Sequence, residues 1–390
     1  MSENHDATQD VGIHPADDRR GGLPNLAIVA IILAAIALTL GLFKDLQSII
    51  APTFLAMNLL IAAYPLYGLM VKARIPKMVA AVTTGLAVFV VVIVGLGAVG
   101  WSVTEMVQTL TGYSDQFRNL YEQGIALLAQ LGFDQESLMN QLQSISPTSV
   151  LGVAGSILSN ASAASGIVVV IAIAIVFMVM DLPSMGQRLG LTHRLHPTLT
   201  DSIGSLVVGI RRYWVVTTVF GLIVAVLDFF VLILVGVPLP LVWAVLSFIT
   251  NYIPNIGFII GVVPPALLAL FEKGPVAALI VVIAYSVLNF VIQSIIQPKF
   301  TGDAVGITPT VSFLSLLLWT WVFGALGALI ALPATLAVKA LLIDPDPKLK
   351  WVNAFISNDP KTTAGAGTPR RRRTTSSALG STEIDAKLEG

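Results

Sequence analysis

Apolar residues fill long blocks across positions 26–343, and polar residues gather in short clusters between them. A helix rises about 1.5 Å per residue and a bilayer's hydrocarbon core is about 30 Å thick, so one crossing takes roughly 20 apolar residues. Six blocks meet that requirement: 26–43, 49–69, 78–101, 162–180, 213–235 and 275–296. Two more, 241–271 and 310–343, are too long for one upright crossing. The pattern predicts an all-α polytopic membrane protein.

The two overlong blocks look alike when set side by side. Pro240 opens the first and Pro264 follows within it; Pro309 opens the second and Pro333 follows at the same spacing. Breakers interrupt both, at Tyr252, Pro254, Asn255 and Gly257 in the first and at Gly324 and Gly327 in the second. Each block follows one full span. The expected fold is therefore six full spans plus two re-entrant helical hairpins in inverted orientation, the breaks lying near the midplane. The alternative is eight spans, with both blocks crossing once and bending at their prolines.

Between the third and fourth spans, Met106, Leu110, Tyr113, Phe117, Leu120, Leu127 and Leu131 recur at intervals of four and three, with Gly124 in the missing seat. That is the seam of an amphipathic helix. Asp134 is placed to cap a second short helix carrying Leu138 and Leu142. The segment packs either on its own protomer and the bilayer surface or on another subunit.

Composition narrows the class. The chain is 55% hydrophobic and 11% charged. Globular domains carry about a quarter charged residues, so an ordinary soluble enzyme and a disordered chain are both excluded. There is no Cys, hence neither a disulfide scaffold nor thiol chemistry, and the zero net charge gives no sign of a nucleic-acid partner. Lys and Arg beside short loops favour the cytoplasm. Arg19 and Arg20, then Lys72, Arg74 and Lys77, then Arg188, Arg194, Arg211 and Arg212 all fall on one side if the spans alternate, which places both termini in the cytoplasm. The first block follows a lead containing Glu3, Asp6, Asp10, Asp17 and Asp18 and has no cleavage pattern after it, so it is expected to be retained. The organisation is then a disordered lead (1–25), three spans (26–101), an external amphipathic segment (102–161), a transport region (162–343) and a disordered tail (344–390) with four adjacent arginines from Arg370 to Arg373.

Candidate chemistry concentrates in the second half. Six charged residues occur between 213 and 343, and Asp228 alone sits inside a span, about 10 Å from its external end by helix rise. A carboxylate there marks either a coupling proton or cation site, or a structural carboxylate bonded to a Ser or Thr. Asn251, Tyr252, Pro254, Asn255 and Gly257 at the first break, Thr308, Pro309 and Thr310 at the start of the second block, and Gly324 and Gly327 at its break are the candidate substrate-binding residues. Asn289, Gln293 and Gln297 form a polar stripe on the sixth span, of which Asn289 and Gln293 join that set. Neutral donors and acceptors of this kind suit a small, polar, uncharged solute, and freed carbonyls suit Na⁺. No phosphate-cradling loop, H-E-x-x-H or G-x-S-x-G pattern occurs, and His193 and His196 lack a third ligand. Enzymatic activity, a cofactor and a metal centre are not expected.

Three ordered motifs carry a resemblance: Ile253-Pro254-Asn255-Ile256-Gly257, then the run from Pro298 through Gly302 and Gly306 to Pro309, then Gly324-Ala325-Leu326-Gly327 leading into Ala331-Leu332-Pro333. Together they resemble the AI-2E family of bacterial transporters, the PerM-like permeases. The resemblance implies an inner-membrane protein that moves small solutes, often as a homo-oligomer; some relatives are associated with export of the signalling molecule autoinducer-2 and others with sodium/proton antiport. The expected function is a secondary transporter or facilitator moving a small polar solute by alternating access. A cation/proton antiporter using Asp228 is the second reading. A non-transporting membrane scaffold, working through the amphipathic segment and basic tail, is the third.

Overall fold

The computed structural model describes residues 24–113, scattered positions between 115 and 130, then 161–253, 256–297, 307–346 and 348–357. With no water in the hydrocarbon to satisfy N–H and C=O groups, apolar blocks close their hydrogen bonds internally, and the described residues are almost wholly helical. In chain order they form α1 (Asn25–Asp45), α2 (Gln47–Lys72), α3 (Lys77–Gly112), α4 (Ala161–Leu195), α5 (Pro197–Val235), α6 (Pro240–Thr250), α7 (Gly257–Lys273), α8 (Pro275–Asn289), which continues as a π-helix (Phe290–Ile296), and α9 (Pro309–Val338), continued by a second π-helix (Lys339–Ile343). A 3₁₀ turn (Lys350–Val352) and the one-turn α10 (Asn353–Ile356) follow. Seven of these helical stretches are long and apolar enough to cross a membrane, counting α9 with its π-helical end as one.

That seventh stretch is not a single rod. In a straight helix, residues 16 apart lie about 24 Å apart. Here the Trp319 indole Nε1 donates to Thr335 Oγ1 at 2.9 Å, and that hydroxyl donates to Ser315 Oγ at 2.7 Å. The chain folds back at Gly324, whose φ of +62° lies where residues with a side chain are strained. Helices α6 and α7 fold back in the same way, so that a Cβ built on Gly261 would lie 3.2 Å from Thr250 Oγ1 and 3.5 Å from Ser247 Cα. Both overlong blocks are therefore hairpins, not single kinked rods. The apices share one device. A Cβ on Gly257 would overlap the carbonyl O of Thr250, and one on Gly327 would overlap that of Trp319. The step from Thr250 to Trp319 equals the step from Pro240 to Pro309, whereas that from Gly257 to Gly327 is one position longer. The repeat is thus genuine in shape although its glycines are out of register.

The hairpins belong to different cores. Leu316, Trp319, Phe323, Ile330 and Leu332 of the second pack with α2, α3, α4 and the first half of α5. Val242, Trp243, Val262 and Leu268 of the first pack with Val281 and Tyr285 of α8 and Leu232 of α5. Helix α5 runs through both, and α3 reaches from the one, at Ala80 to Val92, to the other at Met106. Helix α5 lies antiparallel to α8: Phe220 and Val224 meet Ile292, while Asp228 shares a cleft with Tyr285. The bridge inside the second hairpin gives a simple prediction. Thr335→Val removes the partner of both Trp319 and the buried Ser315, which costs about 1–3 kcal/mol for the orphaned groups. It should lower the thermal unfolding midpoint of the purified protein without changing its oligomeric size.

Several boundaries differ from the sequence expectation. Helix α3 runs unbroken to Gly112, so the start of the expected external segment continues the third span. Met106 and Tyr113 of the amphipathic seam pack on the first hairpin of their own protomer; the Tyr113 hydroxyl donates to the Glu272 carboxylate and its ring stacks on Phe271 at 5.9 Å. Phe117, Leu120, Gly124, Leu127 and Leu131, with Asp134, Leu138 and Leu142, lie outside the described residues, as do 1–23 and 358–390. Helices α4 and α5 extend past their apolar blocks to Leu195 and from Pro197; Pro183 lies within α4 without ending it, and the break comes at the His196–Pro197 step. Structure also continues beyond the expected end at 343. Lys339 Nζ pairs with Asp344 at 3.0 Å, Asn353 Nδ2 donates to Asp344 Oδ1 at 2.9 Å, and Ile307 bridges to Ser357.

Candidate functional site

The first hairpin closes on α5 at Gly221, where α5 has no side chain. A Cβ on Gly221 would sit 2.6 Å from Asn251 Nδ2, and this gap admits Asn251 at the end of α6. Asn251 ties three elements together: its Nδ2 donates to the Thr217 carbonyl at 3.4 Å, and its Oδ1 accepts from Gln293 Nε2 on the π-helix. A π-helical turn carries one extra residue per hydrogen-bonded ring and often marks a functional position. Here it turns Gln293 towards the apex of the hairpin.

Above Asn251, towards the C-terminal end of α5 and the N-terminal end of α6, a cleft opens. Val224, Asp228, Ser247, Asn251, Gly257, Phe258, Tyr285, Asn289 and Gln293 line it. It contains about 250 Å³ of space between atoms, its open side included, but the room at its centre is on the order of a single water molecule. Asp228 is 1% exposed; its Oδ2 accepts from Ser247 Oγ at 2.6 Å, whereas its Oδ1 has no partner. The Tyr285 hydroxyl, in a residue 2% exposed, also has none. Buried polar atoms are normally paired, and an unpaired one costs about 1–3 kcal/mol, so two in one cleft mark a place shaped for something else. Among the described residues no Lys, Arg or His forms an ion pair with Asp228, and no group of three or more His, Cys, Asp or Glu side chains gathers to hold a metal.

Below Asn251 the packing is tight. Tyr252 lies against Trp214 at 5.5 Å and Phe248 at 5.6 Å between ring centres, its hydroxyl shares a 2.7 Å hydrogen bond with Thr218 Oγ1, and its carbonyl accepts from Tyr213 at 3.1 Å. Arg211 and Arg212 follow directly on α5. The cleft is thus sealed on that side by aromatic rings.

The candidate residues divide. Asp228, Asn251, Gly257, Asn289 and Gln293 meet in the cleft, and Tyr252 closes its floor. Pro254 and Asn255 lie outside the described residues. Thr308, Pro309 and Thr310 start α9 instead: Thr308 Oγ1 accepts from the Val311 N–H at 3.4 Å as an N-cap and Pro309 takes the first helical position, two roles these residue types fill by default. Gly324 and Gly327 shape the second apex, beside Gln47, apart from the cleft. Ser247, Tyr285, Val224 and Phe258 line the cleft without standing out in the sequence. Ser247 precedes Asn251 by four residues and Tyr285 precedes Asn289 by four, so extending each polar stripe one turn back finds both.

Comparison with known proteins identifies relatives over most of the chain. Residues 26–344 match the sequence profile described as AI-2E family transporter. The chain is 26% identical over 314 residues to the AI-2 transport protein TqsA of Escherichia coli (strain K12), covering 80% of this chain and 91% of that protein. It is 27% identical over 325 residues to a putative transport protein of Haemophilus influenzae, covering 82% and 91%. A 143-residue stretch is 34% identical to the putative transport protein YrrI of Bacillus subtilis (strain 168), covering 37% and 38%. With seven apolar helices long enough to cross a membrane and a profile match over most of its length, this chain belongs to the AI-2E family of membrane transporters.

Proposed function

We propose that the protein is a secondary transporter that binds a small polar solute in the cleft between α5, α6, α7 and α8 and moves it by alternating access across the bacterial inner membrane. One observation carries this reading: beside the break of the first hairpin, Asp228 and Tyr285 line one cleft, and the Asp228 Oδ1 and the Tyr285 hydroxyl are buried without partners. Broken helices that free polar groups at membrane depth are where transporters of this design hold their cargo. A scaffold has no use for such a cleft. The two cores suggest the moving parts: α6, α7 and α8 shift against α5 while the second hairpin stays with α2, α4 and the N-terminal part of α3. The aromatic floor around Tyr252 is the cytoplasmic seal in this conformation. A cation/proton antiporter is the second reading, favoured by the lack of any cationic partner for Asp228 among the described residues.

In this topology both hairpins are re-entrant, both termini are cytoplasmic, and so is the connection from α8 to α9. A Cys placed at Thr301, in a chain with none of its own, should react with a membrane-impermeant maleimide only after the cytoplasmic face is exposed; labelling in intact cells would remove the inverted-hairpin arrangement. The function itself is tested in sealed vesicles holding the purified protein, with a panel of solutes and with or without an imposed proton or sodium gradient. Saturable, protein-dependent solute flux is expected. Gradient-driven cation exchange with no solute movement would favour the antiporter, and no flux of any kind would favour the scaffold.

A further inference from the structure

The orphaned atoms in the cleft also define the charge of what belongs there. Asp228 offers a carboxylate oxygen with no donor facing it, and Tyr285 offers a hydroxyl engaged with nothing. The remaining polar lining comes from amides and the Ser247 hydroxyl, which is committed to the other carboxylate oxygen. Buried this deeply, the Asp228 carboxylate holds its charge only with a positive partner beside it, and among the described residues the protein supplies none. We propose that the partner is the ammonium group of the solute itself, so that the transported substrates are small primary amines of single positive charge. This rests on the cleft being the transport site.

Geometry and size agree. An ammonium group presents three N–H donors. Asp228, Tyr285 and Asn289 all line the cleft and each carries an acceptor oxygen, and a charge-assisted bond to the carboxylate is the strongest of the three. The central room, on the order of a water molecule, matches an ammonium head and is too small for a sugar ring. Val224 and Phe258 supply apolar wall for a short alkyl stem running to the open side. An anionic solute would meet Asp228 with nothing to offset the repulsion.

The test uses the full-length protein and three molecules of nearly equal size: 2-aminoethanol, which is an ammonium at neutral pH, ethylene glycol, which is neutral, and glycolate, which is anionic. Binding is measured by calorimetry in detergent, and flux of the labelled compounds in phosphatidylcholine–phosphatidylglycerol vesicles against protein-free controls. The ammonium compound should bind about tenfold or more tightly than ethylene glycol, with glycolate failing to compete. Asp228→Asn should erase that preference and Tyr285→Phe should weaken it severalfold, each variant eluting as the wild-type species. Equal binding of ethylene glycol, an unchanged preference in Asp228→Asn, or a site filled by sodium ions that the amine does not displace would overturn the proposal. Protein-dependent flux of ethylene glycol without charge preference would defeat the amine class and leave the transport reading standing. Tight amine binding with no protein-dependent flux of any compound would defeat the transport reading and, with it, the claim that the amine is cargo.

Discussion

Gly257→Val and Gly327→Val should each yield almost no folded protein. At both apices the position a Cβ would occupy is already filled by a backbone carbonyl, Thr250 O in the first hairpin and Trp319 O in the second. A clash with a flexible side chain is relieved by a change of rotamer; one with a helix carbonyl is relieved only by parting the arms. Overpacking a core usually costs about 1–3 kcal/mol, and separating two packed helices adds the loss of everything between them. In the second hairpin that includes the Trp319–Thr335–Ser315 hydrogen bonds. The measurement is the monodisperse fraction after detergent extraction, beside Gly190→Ala as control. Gly190 has open space around it and lies inside α4, so alanine there should be neutral or slightly stabilising. Wild-type recovery of either apex variant would show that the arms do not approach as described.

Asp228→Asn should assemble normally and lose transport by roughly ten- to a hundredfold. The amide is isosteric and keeps an acceptor for Ser247, so the fold retains its local bond. What disappears is the charge. A hydrogen bond to a charged group contributes about 1.5–3 kcal/mol, and each step of about 1.4 kcal/mol is a factor of ten in binding. The same substitution at an exposed carboxylate such as Asp201 should do nothing measurable, since its contact with His193 lies at the surface. Initial rates of uptake in vesicles at matched protein density decide the matter.

How far the sequence foretells this structure depends on the type of signal. Spans are readable because an apolar block of a given length has one use in a bilayer, and the hairpins because blocks 241–271 and 310–343 are too long for a crossing and carry prolines at the same spacing. How the apex is built is not readable: Gly324 and Gly327 look equivalent in sequence, yet one adopts a positive φ and the other admits a carbonyl. Thr308 and Pro309 read as binding residues by their place at the start of the block, although their order is also that of an N-cap followed by a first-turn proline, and the structure uses them so. The partition into two cores leaves no trace, because a helix facing lipid on one side and protein on the other is apolar on both. Asp228 is legible by its cost alone, whereas Tyr285, an aromatic among aromatics, becomes conspicuous only once its hydroxyl is seen to be unpaired.

The claim on which the account turns is that the first hairpin moves against α5. Cβ positions at Gly221 and Asn251 come within 3.5 Å, which is the separation a disulfide needs, and the chain contains no Cys to interfere. A Gly221→Cys/Asn251→Cys pair should cross-link on mild oxidation. Gly85→Cys/Val179→Cys, at 3.7 Å between α3 and α4 in the core that holds the second hairpin, is the control. The oxidised first pair should stop flux and reduction should restore it, while the control pair transports equally in both states. Undiminished transport through the oxidised Gly221–Asn251 link would contradict that claim.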